Sequence, residues 1–272
     1  MWTFTGDFEN LPRAAQAWLR RDPVRNTVPI TVLRGMGEGL WNRDILLGWL
    51  TEGAEVTGVV LHTPPYPVLL SDLPVGAVPS LAEELRGREV PGVSGPLAQA
   101  EAFLTASGRE EKGRTSQRLY RLDGLRIPRL EGRVRSGGPE DTEPALEWMT
   151  AFQAEAVAHS AERDLEPQVK HRLHQGELVF WERDGRAVAM AGFSRPVGGM
   201  SRIGPVYTPP ELRGRGHGTA VAYAATRAAQ EAGAHLLLLF TDLANPTSNS
   251  IYQALGYRPV GDYAAIMFTP DR

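Results

Sequence analysis

The sequence feature that most constrains this chain is a loop with glycines at alternate positions, Arg213-Gly214-Arg215-Gly216-His217-Gly218-Thr219. A strand is expected before it, over Ser201 to Tyr207, and a long alanine-rich helix after it, over Thr219 to Ala232. Glycine permits positive φ and close approach to the backbone, so consecutive N–H groups can converge on one point. The positive end of the helix dipole and the two arginines favour an anion. The loop therefore predicts a pyrophosphate site.

Two known pyrophosphate-binding patterns require residues that this loop lacks. A P-loop ends in Gly-Lys-Ser/Thr, whereas this loop ends in His217-Gly218-Thr219 and has no lysine. A dinucleotide-binding turn follows G-x-G-x-x-G; Gly214 and Gly216 fit that pattern, but its last position is Thr219. Both nucleotide-binding patterns fail on specific residues. A glycine-rich turn that binds nothing remains as the alternative.

A second polar segment follows a run of leucines that is expected to form a buried parallel strand over His235 to Phe240. Asn245 is a suitable N-cap and Pro246 suits the first turn, so a helix is expected from Pro246 to Leu255. Four residues of this segment are spaced i, i+3, i+4 and i+7: Asn245, Ser248, Asn249 and Tyr252. This spacing predicts one polar stripe, with Ile251 and Leu255 on the opposing apolar side. Such a stripe suits hydrogen bonds to a chain that carries amides, although a solvated helix can show it too.

The loop resembles the R/Q-x-x-G-x-G/A signature of the GNAT superfamily of N-acetyltransferases, and Asn245 to Tyr257 resembles the second coenzyme segment of that superfamily. The resemblance implies the acyl-CoA N-acyltransferase fold, an α/β (α+β) fold with a mixed, mostly antiparallel central sheet flanked by helices. It also implies acetyl-CoA as co-substrate. The loop would bind its pyrophosphate, and the strand that ends at Tyr207 would lie beside its pantetheine arm.

The resemblance places the coenzyme-binding residues in three segments. They are Val206 and Tyr207; Arg213, Gly214, Arg215, Gly216, His217, Gly218 and Thr219; and Asn245, Ser248, Asn249 and Tyr252. A backbone N–H near Val206 or Tyr207 would stabilise the oxyanion. Tyr252 would stand near the thioester sulfur and is the candidate acid for the leaving thiolate, with simple packing as its alternative role. The sequence does not identify a general base. Glu155 lies on the first helix of this half, where the superfamily often lines its acceptor site, and is the residue considered for that role; an exposed helix glutamate is the commoner explanation.

Composition limits the partners. A net charge of -3 offers no basic footprint for nucleic acid, and no apolar stretch is long enough to suggest a membrane partner. The chain has no cysteine, which excludes thiolate metal sites, and no basic-then-apolar leader pattern at its start. A cytoplasmic location is therefore expected. His171 and His174 are spaced i and i+3 without a third ligand in view, so no metal is expected.

The order of predicted elements occurs twice along the chain. Strand, strand, helix, strand, helix, strand is expected between Ala54 and Leu122 and again in the second half, which predicts a duplicated fold. Gly124 to Gly138 is the expected linker, so the predicted domains are 1–127 and 128–272. The counterpart of the glycine loop, Ser71 to Pro79, has one glycine, no arginine and a repulsive Asp72. We expect a degenerate first domain without coenzyme, a layout similar to two-domain bacterial members and the glycine-N-acyltransferase-like branch.

The resemblance carried by these residues implies an N-acetyltransferase. An amine of an acceptor would attack the thioester of acetyl-CoA directly, without a covalent enzyme intermediate. The alternative, from a different functional class, is a non-catalytic module that binds or senses acyl-CoA. The identity of the acceptor and the oligomeric state are left open at this stage.

Overall fold

The computed structural model of the chain describes residues 1–41, 44–128, 131–156 and 164–270. The chain divides into two compact units, one formed by Met1–Gln117 with Gly261–Arg272 and the other by Arg118–Val260. Each unit contains a mixed, mostly antiparallel sheet with one parallel pair of strands. The predicted fold class is therefore confirmed.

The first copy of the fold contains six strands and four helices among the described residues. Its strands are β1 (Trp2–Thr5), β2 (Leu46–Glu52), β3 (Glu55–His62), β4 (Val68–Leu70), β5 (Gly92–Pro96) and β6 (Glu111–Leu122). Its helices are α1 (Arg13–Leu19), α2 (Thr27–Gly37), α3 (Val78–Glu84) and α4 (Leu97–Ser107).

The second copy has the same number of each within the described ranges. Its strands are β7 (Arg133–Ser136), β8 (Leu178–Arg183), β9 (Arg186–Phe193), β10 (Met200–Tyr207), β11 (Leu236–Asp242) and β12 (Tyr257–Phe268). Its helices are α5 (Thr142–Ala156), α6 (Glu166–His174), α7 (His217–Glu231) and α8 (Pro246–Ala254). Short 3₁₀ turns aside, the order β, α, α, β, β, β, α, β, α, β occurs twice, so the predicted duplication is confirmed.

The last strand of each copy crosses from one unit to the other. β6 leaves the first unit after Gln117, and β12 returns to it after Val260. Within the first unit β12 pairs with β5, antiparallel from Tyr263↔Pro96 to Met267↔Gly92. The units therefore differ from the contiguous halves 1–127 and 128–272 expected from the sequence. Which sheet a strand joins depends on distant partners that a linear pattern does not record.

The sheet of the second unit places its helices on opposite faces. Its strands follow the order β6-β11-β10-β9-β8-β7, with β10 and β11 parallel. Apolar residues of α7, such as Val221, share a core with Ile203 of β10 on one face. Residues of α5 and α6, such as Met149, share a second core with Leu178 of β8 and Met190 of β9. Burial on both faces explains the near-continuous apolar runs in these strands.

The sequence predicted a hairpin turn of the second unit correctly but did not predict its edge strand. The predicted β8–β9 hairpin is present, with positive φ at Asp184 (51°) and Gly185 (76°), as a tight hairpin turn requires. The predicted linker Gly124 to Gly138 instead contains β7, and its residues 129–130 lie outside those described. β7 escaped prediction because it is a short edge strand with a half-exposed Val134 between two arginines. No helix among the described residues combines the length and apolarity needed to cross a bilayer.

Candidate functional site

The two parallel strands of the second unit part from each other near their carboxyl ends. β10 and β11 pair only up to Ile203↔Leu239, yet β10 continues to Tyr207 and β11 to Asp242. On its other edge β10 resumes pairing with β9 at Val206, after a bulge. In the described residues, the β11-facing edge of β10 beyond Ile203 is therefore not taken by β11. Its backbone groups are available to an extended ligand.

The glycine loop begins where this gap ends. Gly216 is the N-cap of α7 with φ of 81°, and Gly214 has φ of 75°. A Cβ at either position would meet no atom within 4 Å, so glycine is required there for its backbone conformation rather than for space. Gly218 differs, because its Cβ would make ordinary contacts with Thr208 and Ile251. The first N–H groups of α7 have no partner within the helix, which leaves them available to an anion at the loop.

Arg213 joins the loop to two other predicted site residues. Its Nε donates to the carbonyl of Thr208 at 2.9 Å, and its Nη2 lies 2.7 Å from each carboxylate oxygen of Glu155. Its guanidinium carbon lies 5.8 Å from the ring centre of Tyr207. Burial raises the pKa of Tyr207, and the Glu155 carboxylate raises it further. The structure thus brings together three residues that were predicted from separate segments.

Arg215 and His217 lie elsewhere, on the side of α7 that adjoins β8. They border a cavity of about 530 Å³ beside the helix N-terminus. Its lining residues are Glu131, Trp181, Arg183, Arg215, Gly216, His217 and Ala220. Arg183, Trp181 and Glu131 were missed by sequence reasoning. Arg183 adjoins the predicted Asp184-Gly185 turn, but no local spacing relates that turn to the glycine loop.

The two asparagines of the second polar segment have structural partners. The Asn245 side chain accepts the N–H of Ser248 at 2.9 Å and caps α8 as predicted. The Asn249 amide donates to the carbonyls of Asp242 (2.9 Å) and Asn245 (2.8 Å) and accepts the hydroxyl of Tyr120 at 2.9 Å. Asn249 therefore fixes α8 against β11 and β6. The amide N–H₂ of Asn245 makes no hydrogen bond within the described part of the chain and is exposed.

Tyr252 does not lie on a polar stripe. It is 8% exposed and shares an apolar core with Leu255, and Ile251 packs against the same core. The predicted separation of polar and apolar sides of α8 is therefore wrong at this residue, because the tyrosine ring is apolar enough to be buried beside the core. Its ring lies edge-on to that of Tyr257, with centres 6.1 Å apart.

The two tyrosine hydroxyls differ in their partners. The Tyr257 hydroxyl is hydrogen-bonded to Thr226 at 2.8 Å. The Tyr252 hydroxyl makes no hydrogen bond to any described residue. Burial raises the pKa of Tyr252 well above its ordinary value, since the phenolate would be poorly solvated. Tyr252 is thus a protonated phenol with its O–H uncommitted.

Glu155 is half-exposed near the end of α5, and its carboxylate is engaged by Arg213. Among the described residues, no cluster of three or more His, Cys, Asp or Glu side chains has the geometry to hold a metal ion.

The gap beside β10 and the glycine loop at the start of α7 together form the candidate ligand site of the second unit. Residues 143–257 match the Acetyltransferase (GNAT) family. This segment lies within the second unit, which therefore contains a GNAT acetyltransferase domain. Membership of the glycine-N-acyltransferase-like branch stays a prediction. No curated protein matches the chain.

Solved structures share the fold over the full length of the chain. A GNAT acetyltransferase from Colwellia psychrerythraea has a TM-score of 0.63 at 13% identity, covering 99% of this chain and 100% of its own. A Drosophila protein has a TM-score of 0.70 at 14% identity, covering 100% and 99%. A tandem GNAT protein from the clavulanic acid biosynthesis pathway has a TM-score of 0.59 at 13% identity, covering 100% of both chains. At these identities the likeness concerns the fold, and the tandem protein agrees with the duplication.

Proposed function

We propose that this protein transfers an acetyl group from acetyl-CoA to a primary amine of an acceptor by direct attack. The observation that carries the proposal is the gap between β10 and β11, which opens after Ile203↔Leu239 and leads to the glycine loop. An extended pantetheine arm can pair with the free edge of β10, as an added strand does. Its pyrophosphate then reaches the N-terminus of α7.

The transfer step needs a proton for the leaving group. The amine nitrogen forms a bond to the thioester carbon, the C–S bond breaks, and the nitrogen loses its proton to solvent. The thiolate takes a proton from Tyr252, whose hydroxyl is uncommitted and whose raised pKa keeps it protonated, and Tyr252 then regains a proton from solvent. Backbone N–H groups near Val206 would stabilise the oxyanion.

The first copy would act as a scaffold without coenzyme. Its helix α3 starts after Ala77 without a side-chain cap and has a proline in its first turn, which removes one backbone donor. Asp72, in the counterpart of the glycine loop, is paired with Arg25 at 3.3 Å and accepts from Gln99 at 3.2 Å. A carboxylate held in that loop disfavours a phosphate.

A second candidate is a module that binds acyl-CoA without turning it over. The engagement of Glu155 by Arg213 favours it, since the candidate base is already ion-paired. In that case acetyl-CoA would bind with the same dependence on the loop, but no acceptor would be modified.

Calorimetry with acetyl-CoA, together with release of coenzyme A in the presence of an amine panel, tests the proposal. We expect saturable binding of one acetyl-CoA per chain and amine-dependent release. Gly216→Val should abolish binding, because valine strongly disfavours φ of 81°. Gly87→Val is the matched control: Gly87 has φ of 77° and similarly open surroundings, but lies in the first unit.

The possible outcomes separate the two candidates. Tight binding without release for any amine favours the sensing module. Unchanged binding in Gly216→Val, or a second coenzyme bound per chain, would contradict the proposed site or the scaffold role of the first copy.

A further inference from the structure

One charged side chain of the second unit has a buried atom without a hydrogen-bond partner. Among the described residues, three side chains have such an atom: Thr57 at Oγ1, His62 at Nε2 and Arg202 at Nη1. Of these three, Arg202 is the one that is always charged and the one that lies in the second unit. Buried polar groups nearly always have a partner, and a buried charge without one is costly. The Arg202 guanidinium therefore points to a ligand that completes its surroundings.

Arg202 lies on β10 and is directed to the face of the sheet opposite to α7. Its strand neighbour Ile203 packs in the core that α7 shares, and side chains alternate between the two faces along a strand. Arg202 is therefore on the face that α5 and α6 cover. Although its Nη1 is buried, the residue as a whole is only partly buried. A small ligand on this face can reach the guanidinium.

The charges that act on Arg202 are those of Arg172 and Glu177. Arg172, on α6, donates from its Nη1 to the carbonyl of Gly204 at 3.0 Å, two residues along β10 from Arg202. Glu177 is buried, and its Oε1 already accepts the backbone N–H of Arg195 at 2.7 Å. Two guanidinium groups therefore share one carboxylate, which leaves a net positive charge on this face.

The pKa of Arg202 reflects this imbalance. Burial, followed by the charge of Arg172, lowers the pKa to about 10, although Glu177 raises it. The side chain is still a cation at neutral pH. An anion beside the guanidinium would oppose the effect of burial, because an opposite charge favours the charged form. The expected ligand group is therefore anionic.

The position of Arg202 along β10 relates this anion to the proposed transfer step. The gap between β10 and β11 closes at Ile203↔Leu239, one residue after Arg202, which is about 3.3 Å of strand. With its pyrophosphate at the start of α7, the coenzyme arm would enter the gap at the Tyr207 end of β10. The thioester would then lie toward the closed end of the gap, beside Ile203. An anionic group held by Arg202 is thus close enough to belong to the molecule that carries the attacking amine.

We infer that the acceptor is an aminocarboxylate, a small molecule with both the reactive amine and a carboxylate, and that Arg202 binds the carboxylate. The inference rests on the proposed function and names its substrate class. A carboxylate is planar and has two acceptor oxygens, which match the paired N–H donors of a guanidinium. Bound there, it gives Nη1 a partner and balances the excess charge beside Arg172. The product is the N-acetyl derivative of the aminocarboxylate.

The test compares acceptors that differ only in the carboxylate: a panel of α-, β- and ω-amino acids, each beside its amide. The measured quantity is kcat/KM for release of coenzyme A from acetyl-CoA by the full chain. For the best acceptors we expect the wild-type protein to prefer the acid to the amide by about ten- to a hundredfold, the range for charge-assisted hydrogen bonds. Arg202→Gln should lose most of this preference and leave kcat/KM for the amides nearly unchanged. The basicity of each amine is the same whichever variant is assayed, so a change in preference reports recognition of the carboxylate.

Arg186→Gln is the matched control, because it removes one positive charge from the same unit. Arg186 is exposed at the start of β9, whose other end pairs with β10, and its side chain makes no hydrogen bond to a described residue. This variant should keep the full preference. Arg202→Lys retains the charge without the paired donors and should keep only part of it. Circular dichroism and the melting temperature establish that each variant is folded.

Each other outcome overturns a distinct statement. Equal use of acids and amides by the wild-type protein, or a preference that survives in Arg202→Gln, refutes the inference and leaves the proposed function intact. Release with none of the amines refutes the proposed function and the inference with it. Acetate that binds in calorimetry with a dependence on Arg202, together with equal use of acids and amides, assigns this arginine to a free anion instead.

Discussion

Glu155 and Arg213 are locked together, with both carboxylate oxygens of the glutamate 2.7 Å from the same Nη2 of the arginine. One partner is the candidate base and the other begins the coenzyme loop. The pair is about half-exposed on both sides, so its net contribution to stability is small. The pair matters for ligand binding instead, because it places the negative charge of Glu155 beside the proposed phosphate site.

Glu155→Gln separates the possible roles of this residue. Removing the negative charge should strengthen coenzyme A binding, up to about fivefold for a surface ion pair. If Glu155 is also the base, turnover falls while binding improves. Calorimetry and steady-state kinetics measure the two effects independently. Weaker coenzyme binding in this variant would show that the carboxylate orients Arg213 instead of competing for it.

Tyr252→Phe tests the proton donor. Loss of the hydroxyl should lower kcat by about a hundredfold or more, in the range of general acid catalysis, with coenzyme affinity retained. Because Tyr252 makes no hydrogen bond to a described residue, its stability cost should be small.

Tyr257→Phe is the matched control for this experiment. It removes the hydroxyl bonded to Thr226 and should cost about 1 kcal/mol of unfolding free energy without lowering kcat. Unchanged turnover in Tyr252→Phe would eliminate the acid role.

Asn249→Ala should destabilise the protein. Its side chain bridges Tyr120, Asp242 and Asn245, and leaving these groups unpaired should cost about 1–3 kcal/mol. Ser248→Ala should change stability by less than about 0.5 kcal/mol, since the Ser248 hydroxyl has no hydrogen bond to a described residue. Urea unfolding of both variants checks the contrast. Equal stability of the two would mean that Asn249 is not needed to hold α8.

His217 should make stability depend on pH. Burial, followed by the charges of Arg183 and Arg215, lowers its pKa below the ordinary value of 6.5. As pH falls below that value the unfolded chain takes up a proton that the folded chain refuses, so stability is lost. Between pH 7 and 5, the urea midpoint of the wild-type protein should fall more than that of His217→Asn. The exposed His174→Asn should follow the wild type; a parallel fall in His217→Asn would assign the pH dependence to other groups.

Local signals in the sequence predict much of the second copy. Turn chemistry located the hairpin at Asp184, and the alternate glycines located the start of α7 to within two residues. Sequence patterns predicted less where the conformation depends on contacts with residues that are distant in the chain. β7 was not predicted because its two arginines looked like loop residues in the sequence. In the structure Arg133 forms an ion pair with Glu182, which is distant in sequence, and Arg135 forms one with Asp141, which follows the predicted linker. The inward position of Tyr252 depends on the core around it, which no spacing along α8 reveals.

Residues of the candidate site that lie outside the glycine loop were not predicted for the same physical reason. The loop itself is contiguous, so its residues were all predicted from one pattern. Arg183 reaches α7 from a hairpin that precedes the loop by about thirty positions, a separation over which side-chain patterns carry no spatial information. Tyr120, which supports Asn249, comes from β6 and was likewise invisible to a linear pattern.

The crossing of β6 and β12 between units determines when this protein can be completed during synthesis. The strand segment that pairs with β5, Tyr263 to Met267, is translated after the whole of the second unit. Until it leaves the ribosome, the edge of β5 is without this partner, and an unpaired edge is a template for aggregation. A nascent chain of this kind cannot finish its first unit before its second has been translated. For the same reason, a fragment cut after residue 127 contains β5 without its partner strand β12.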